Sequence, residues 1–253
     1  MEMFIFFMIG LISGAFGVLV GAGGGFLFVP ALLLLLNLPP EMAAGSGLFV
    51  VFINSLSGSV HFMLKKRVNY SFSAPIIIGA IPGTFFGTWL LKLISPDVFQ
   101  WFFACALLLL GVYLLLKNTS KHQEKGRKAA LTLAFKKRVL LVFIGFVMGI
   151  LSNFFGIGGG WLLVPMLIYL FQLSPHEAAA TSLFTLSVYS MTGAISQIGL
   201  GHIHWEASIW GGAGVLFGSQ AGVILSSKVS GRWIVQLLSV LLIGVSMKLF
   251  LSA

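Results

Sequence analysis

Long apolar runs alternate with short polar breaks along the whole chain. The runs cover about 3–36, 42–64, 71–94, 98–116, 139–171, 177–200, 205–227 and 232–252, eight segments in two sets of four. A helix of about 20 apolar residues crosses the hydrocarbon core of a bilayer, so the pattern predicts an all-α, polytopic transmembrane protein. Between the sets, 117–138 carries eight Lys/Arg and one Glu. It reads as a linker on one side of the membrane, with an interfacial amphipathic helix over 129–135. The chain therefore divides into a first transmembrane repeat (1–116), a basic cytoplasmic linker (117–138) and a second transmembrane repeat (139–253).

The two sets are copies. A shift of 135 residues lays Gly10, Gly14 and Gly21 on Gly145, Gly149 and Gly156, and Gly23-Gly24-Gly25 on Gly158-Gly159-Gly160. It also lays Val29-Pro30 on Val164-Pro165, Pro40 on Pro175, and Gly79, Gly83 and Gly87 on Gly214, Gly218 and Gly222. Internal repeats of this kind are a mark of transporter architectures. The first segment of each half has about 33 residues, which as one straight helix would be about 50 Å long against a core of about 30 Å. It must tilt, protrude or break, and the clusters Gly21–Gly25 and Gly156–Gly160 lie in its middle, where glycine's backbone freedom allows a break. If the segment crosses once, the repeats are parallel. If it turns back as a re-entrant hairpin, they are inverted. The positive-inside rule separates these weakly: parallel repeats leave Lys92, Lys228 and Arg232 outside, inverted repeats Lys92 and Lys248. Segment length and the mid-segment glycines favour inversion, and both arrangements put Lys65-Lys66-Arg67 and the linker in the cytoplasm.

Composition agrees. The chain is 58% hydrophobic and 8% charged, with a mean hydropathy of +1.05, whereas soluble domains are about 25% charged. The formal charge of +9 would suggest a nucleic-acid partner if it were spread over a folded surface; here it is gathered in the polar breaks, where membrane orientation accounts for it. The single cysteine, Cys105, permits neither an intrachain disulfide nor a thiolate metal cluster and is expected to be a small buried hydrophobe. Residues 1–21 lack a basic start and a small-residue cleavage site, and read as mature protein.

The candidate chemistry centres on the glycine clusters. Backbone freed from helix pairing is tolerated at membrane depth only where it is buried in protein or lines a watery cavity. Helices resuming at Phe26 and Trp161 would present free N–H groups and positive dipole ends, which suit an anion. The competing reading is close helix packing, since Gly17, Gly21 and Gly25 also fit a small-residue seam; for Gly79/Gly83/Gly87 and Gly214/Gly218/Gly222 packing is the preferred reading. Substrate-binding candidates are Gly23, Gly24, Gly25, Gly158, Gly159 and Gly160, joined by Ser46, Asn54, Thr181 and Ser182 from the second segment of each half. Those four are either ordinary interhelical hydrogen-bonding groups or ligands for oxyanion oxygens.

No nucleotide motif follows either cluster. The six carboxylates (Glu2, Glu41, Asp97, Glu124, Glu177 and Glu206) fall near segment ends, leaving no deep proton relay. His61 reads as an interface histidine, and His202 and His204 lack companions for a metal site. No cofactor, metal or catalytic constellation is predicted, so the chain is not read as an enzyme.

At Gly156-Ile-Gly-Gly-Gly-Trp-Leu-Leu-Val-Pro165, followed by Ser174-Pro-His-Glu-Ala-Ala-Ala-Thr-Ser-Leu-Phe184, the chain resembles the sulfite exporter TauE/SafE family, also called the toluene sulfonate uptake permease family. The first half repeats the motif as Gly21-Ala-Gly-Gly-Gly-Phe-Leu-Phe-Val-Pro30. The resemblance covers essentially the whole chain. It implies a secondary transporter of small anions, often sulfur-containing (sulfite, sulfonates, sulfoacetate), in a bacterial inner membrane, with the glycine motifs and Thr181-Ser182 at the site. The first half departs from the pattern with Gly45-Ser46-Gly47, so the halves need not contribute equal ligands. An anion channel, or a carrier of non-sulfur organic anions, is the alternative. The expected partners are a small anion and the lipid bilayer, with homo-oligomerisation left open.

Overall fold

The computed structural model describes residues 2–116, 135–225 and 231–252. Among them are ten helices and no strand: α1 (Glu2–Val20), α2 (Gly25–Leu35), α3 (Pro40–Leu64), α4 (Tyr70–Leu93), α5 (Pro96–Leu116), α6 (Phe135–Phe155), α7 (Gly160–Tyr169), α8 (Pro175–Gly199), α9 (Trp205–Leu225) and α10 (Gly231–Ser252). Seven described helices are long and apolar enough to cross a membrane. The interfacial helix expected over 129–135 lies outside the described residues, apart from Phe135 at the start of α6.

Both long first segments are broken where the glycines cluster. Gly21, Gly23 and Gly24 have φ of 77°, 82° and 80°, and Gly156 and Gly158 have 69° and 76°, a left-handed region that costs any side chain with a Cβ. The resumed helices α2 and α7 have 11 and 10 residues, or about 16 and 15 Å at 1.5 Å per residue. Each covers about half of the hydrocarbon core.

Local signals fix the helix starts. Pro40, Pro96 and Pro175 open α3, α5 and α8, where a missing N–H costs nothing. Ser174 and Glu177 form a capping box at α8. The five described carboxylates all sit in the first turn of a helix, where the dipole favours negative charge and burial is avoided.

Glycine seams hold the bundle. A Cβ at Gly79, Gly83 or Gly87 of α4 would strike the carbonyl of Val142, Phe146 or Ile150 on α6, and one at Gly214, Gly218 or Gly222 of α9 that of Phe7, Leu11 or Ala15 on α1. The two seams correspond at the 135-residue offset, contact for contact. Numbering rises together across each, so α4 runs parallel to α6 and α1 parallel to α9. In the same way α3 runs with α9, since Ser46 meets His204 and Ser57 meets Ser219. α8 runs with α4: Thr181 meets Asn69, and Tyr189 clusters with Ala80. By contrast α3 and α8 are antiparallel, Gly58 facing Leu183 and Gly193 facing Leu48. The peripheral pair α5 and α10 is antiparallel too, with Gln100 donating to the Leu249 carbonyl and Ser246 to that of Ala104. Thus α1, α3 and α9 point one way and α4, α6 and α8 the other.

Most buried hydroxyls are satisfied within their own helix and not across interfaces. Ser55 donates to the Val51 carbonyl and Ser190 to that of Leu186, symmetry-related positions; Thr185 and Ser187 do likewise. A hydroxyl three or four residues past a carbonyl needs no interhelical partner. Large apolar side chains such as Ile78, Phe85, Trp89, Phe217 and Ile224 are exposed and form the lipid-facing surface. Cys105, expected to be buried, is exposed on α5. A thiol behaves as a small hydrophobe, and a span is apolar on its lipid side as well as its core side, so residue type could not tell the two apart.

Candidate functional site

The two breaks touch at the centre of the bundle. A Cβ at Gly25, in the first turn of α2, would meet the Gly156 carbonyl at 2.8 Å and the Ile157 Cα at 2.7 Å. One at Gly160, in the first turn of α7, would run into the Gly21 carbonyl and come within 2.9 Å of the Ala22 Cα. Residues 21–26 and 152–160 are all buried. The break is walled by α3 and α8: a Cβ at Gly23 or at Gly158 would meet both Val51 and Leu186, themselves an offset pair. The six cluster glycines proposed from the sequence are therefore brought together, at a spacing that side chains would fill.

Both short helices begin on glycine N-caps. Neither Gly24 at α2 nor Gly159 at α7 has a side-chain cap, so the first amides of each short helix lack the partner that a cap would supply. Beside the first break stands Asn54, fully buried, whose Nδ2 would lie 2.9 Å from a Cβ at Gly24 and would crowd one at Gly17. Neither its Nδ2 nor its Oδ1 has a hydrogen-bond partner. The residue 135 positions on is Tyr189, also fully buried. Its hydroxyl oxygen accepts from the Gly159 N–H at 3.2 Å. The first break thus carries an unused carboxamide, while at the second Tyr189 accepts the Gly159 amide and the buried Asn153 Oδ1 and Trp161 Nε1 are left without partners.

Ser182 belongs to the centre, donating to the Gly21 carbonyl at 3.0 Å. Ser46 and Thr181 do not face it. The Ser46 hydroxyl accepts from the His204 amide at 2.8 Å and the Thr181 hydroxyl from the Asn69 amide at 3.0 Å, so each satisfies an amide just ahead of α9 or α4. Those amides need acceptors, and offset-related hydroxyls supply them. Asn153, at the end of α6, donates to the Thr84 carbonyl at 2.7 Å and to the Thr88 hydroxyl. Tyr189 is not among the site residues that the sequence suggests, although its place 135 residues after Asn54 is a usable signal. Among the described residues no group of three or more potential metal ligands occurs. In the loop ahead of α9, His202 shares a 2.9 Å hydrogen bond with Gln197. Burial holds its pKa below the usual histidine value, opposed by Glu41 and aided by Lys92.

This combination defines a class: a multi-pass helical membrane protein whose two half-length helices end, N-termini inward, on one buried centre. Within that class the chain belongs to the sulfite exporter TauE/SafE family, whose profile matches residues 6–249. It is 31% identical to a probable membrane transporter protein of Bacillus subtilis, YunE, over 98% of this chain and 97% of that one. It is 28% identical to a probable membrane transporter protein of Methanocaldococcus jannaschii over 93% of this chain and 90% of the other. A probable membrane transporter protein of Haemophilus influenzae is likewise 28% identical, over 86% of this chain and 82% of its own length. No solved structure matches the chain. The protein is a membrane transporter and not an enzyme.

Proposed function

We propose that the protein is a secondary carrier of small anions, sulfur-containing oxyanions such as sulfite, a sulfonate or sulfoacetate, working by alternating access in a bacterial inner membrane. The observation that carries this reading is the pairing of uncapped, buried helix N-termini with the unpartnered carboxamide of Asn54. The positive ends of two dipoles attract negative charge, and a buried carboxamide without partners is costly until a ligand supplies them. No described carboxylate lies near the breaks to oppose an anion, since all five sit in first turns at helix starts. The sulfur preference comes from the family's description.

Alternating access is supported by the closure of the centre: with every residue of both breaks buried, a substrate reaches them only if helices move. The helix directions favour inverted over parallel repeats. Parallel repeats would set α3 and α8, and α5 and α10, running the same way, whereas both pairs run antiparallel. In the inverted arrangement α2 and α7 return from the centre towards the side they came from, the design by which discontinuous helices hold substrates midway through carriers.

The test is transport by purified protein in liposomes, offered sulfite, a short alkyl sulfonate and sulfoacetate, with a cation and a neutral solute as controls. Saturable uptake of an anion that is accelerated by the same anion on the opposite side is the expected result. Flux of an anion without saturation or trans-acceleration would mean a channel, and flux of only cations or neutral solutes would overturn the electrostatic reading.

A further inference from the structure

The face of α3 that carries Asn54 continues as a polar stripe. Asn54, Ser57 and His61 follow at i, i+3 and i+7, the spacing of one helix face; Asn54 is buried, Ser57 and His61 are half-buried, and Lys65, Lys66 and Arg67 lie exposed beyond them. From α9, Ser219 meets Ser57 hydroxyl to hydroxyl at 2.7 Å, and Gln220 donates to Ser57 at 3.0 Å. Gln220 is exposed although it lies within the span Trp205–Leu225. Gln220 lies one turn from the exposed Phe217 and Ile224, and a carboxamide facing hydrocarbon would leave hydrogen-bonding capacity unmet at a cost of several kcal/mol, so it is held inward on Ser57 at the edge of the lipid-facing side.

The offset-related positions between α8 and α4 are different. Ser57, Ser219, Gln220 and His61 correspond to Thr192, Thr84, Phe85 and Ser196. Thr84 donates to the Ile81 carbonyl at 2.6 Å just as Ser219 donates to the Leu216 carbonyl at 2.9 Å, but Thr192 donates to the Val188 carbonyl of its own helix at 3.1 Å, and an exposed phenylalanine stands where the other half has Gln220. The hydrogen-bonded contact between Ser57 and α9 has no such counterpart at Thr192.

We propose that Asn54, Ser57, Ser219, Gln220 and His61 line the substrate's route between the central site and the Lys65–Arg67 face, and that the Ser57–Ser219 hydrogen bond closes it. The route rests on the anion-carrier reading above and extends it to one side of the membrane. Its chemistry fits a small oxyanion: hydroxyls and a carboxamide donate along its length, no described carboxylate lines it, and three adjacent cations at its mouth raise the local anion concentration. In the facing half both hydroxyls are bonded within their own helices and a phenylalanine stands in place of Gln220, so the two approaches to the centre are unequal.

The experiment uses the full chain with Cys105→Ala and single cysteines in place of Ser57, His61, Thr192 or Ser196. The probes are two membrane-impermeant methanethiosulfonates of similar size, one bearing a sulfonate and one a quaternary ammonium, applied separately to each face of sealed vesicles. Ser57→Cys and His61→Cys should react with the sulfonate reagent from the Lys65–Arg67 face about tenfold faster than Thr192→Cys or Ser196→Cys from either face, the low end of electrostatic focusing. They should also prefer it over the ammonium reagent after correction for free-thiol rates. Ser219→Ala, which removes the contact while Ser57 is kept, should speed modification of a single cysteine in place of Asn54, on the central side of it. Equal or faster reaction at Thr192→Cys, or a preference for the ammonium reagent at Ser57→Cys, overturns the proposal. Anion uptake by the same variants separates the two readings: uptake with an inert Ser57→Cys removes the route alone, whereas sulfonate-selective labelling without anion uptake removes the carrier reading and supports the route.

Discussion

Replacing Asn54 with leucine removes a buried polar group that has no partner, and keeps the branched shape of the side chain. Both polar atoms of Asn54 are buried and unpartnered, and each such group costs about 1–3 kcal/mol. Taking the low end for each atom gives about 2 kcal/mol of stabilisation on removal, less whatever the bulkier methyls lose by crowding Gly17 and Gly24. For a chain of this size, that is a rise of about 4–8 °C in the unfolding midpoint. Tyr189→Phe is the matched control with the opposite sign: it leaves the Gly159 amide without its acceptor, and should lower the midpoint by a few degrees for a loss of about 1 kcal/mol. The assay is thermal unfolding in one lipid nanodisc preparation, alongside anion uptake at matched protein density. Asn54→Leu should be more stable and transport little; Asn54→Ala, free of crowding, should also lose transport without losing stability. Wild-type transport by Asn54→Leu would refute the role of this carboxamide, and a fall in midpoint for both Asn54 variants would show that its amide has a structural partner after all.

Seam glycines should behave differently from the centre: Gly83→Ala and Gly218→Ala push a methyl into the Phe146 and Leu11 carbonyls, so the yield of folded protein should fall for a cost of about 1–3 kcal/mol or more, read by detergent-solubilised monodisperse protein. Thr181→Val and Ser46→Ala each remove the acceptor of an amide just ahead of a helix and should cost about 1 kcal/mol of stability, leaving the substrate affinity of the remaining folded protein close to wild type. Because burial lowers the His202 pKa in the folded state, its stabilising share is full above the unfolded value near pH 6.5 and is lost as pH falls below it. The unfolding midpoint should therefore drop as pH falls below about 6.5, and His202→Gln should flatten that slope.

The apolar runs made the helices legible, because a span must be apolar along its length and its ends must hold charge. The two breaks were legible for a geometric reason: 33 apolar residues exceed one crossing, and only the glycine clusters lacked Cβ atoms at the midpoint. The structure breaks both segments there. Side-chain roles were harder to read. Ser46 and Thr181 follow a turn much as site ligands would, yet their hydroxyls meet amides from residues more than a hundred positions away, and no local pattern announces a tertiary partner. Tyr189 is an aromatic in an aromatic-rich span, and what distinguishes it is the Gly159 amide at its hydroxyl. Cys105 shows the limit in another form: α5 is apolar on all sides, so its sequence carries no sign of which face meets protein.

What the duplication kept and what it changed follow different physical demands. The seams between α1 and α9 and between α4 and α6 retain the same glycines against offset-related carbonyls, since a methyl anywhere along them would push the paired backbones apart. Around the centre the demand is chemical, and there the halves differ: Asn54 against Tyr189, and Ser57 reaching across to Ser219 against Thr192 turned onto its own helix. In an inverted pair of identical halves, the states open to the two faces would have equal energy by symmetry, and each such difference biases one against the other. A single interhelical hydrogen bond present in only one state, worth about 1 kcal/mol, shifts their populations about fivefold. The contacts that hold the halves together are thus the ones the repeat preserves, and, on the alternating-access proposal, the contacts able to set which way the protein rests are the ones it does not.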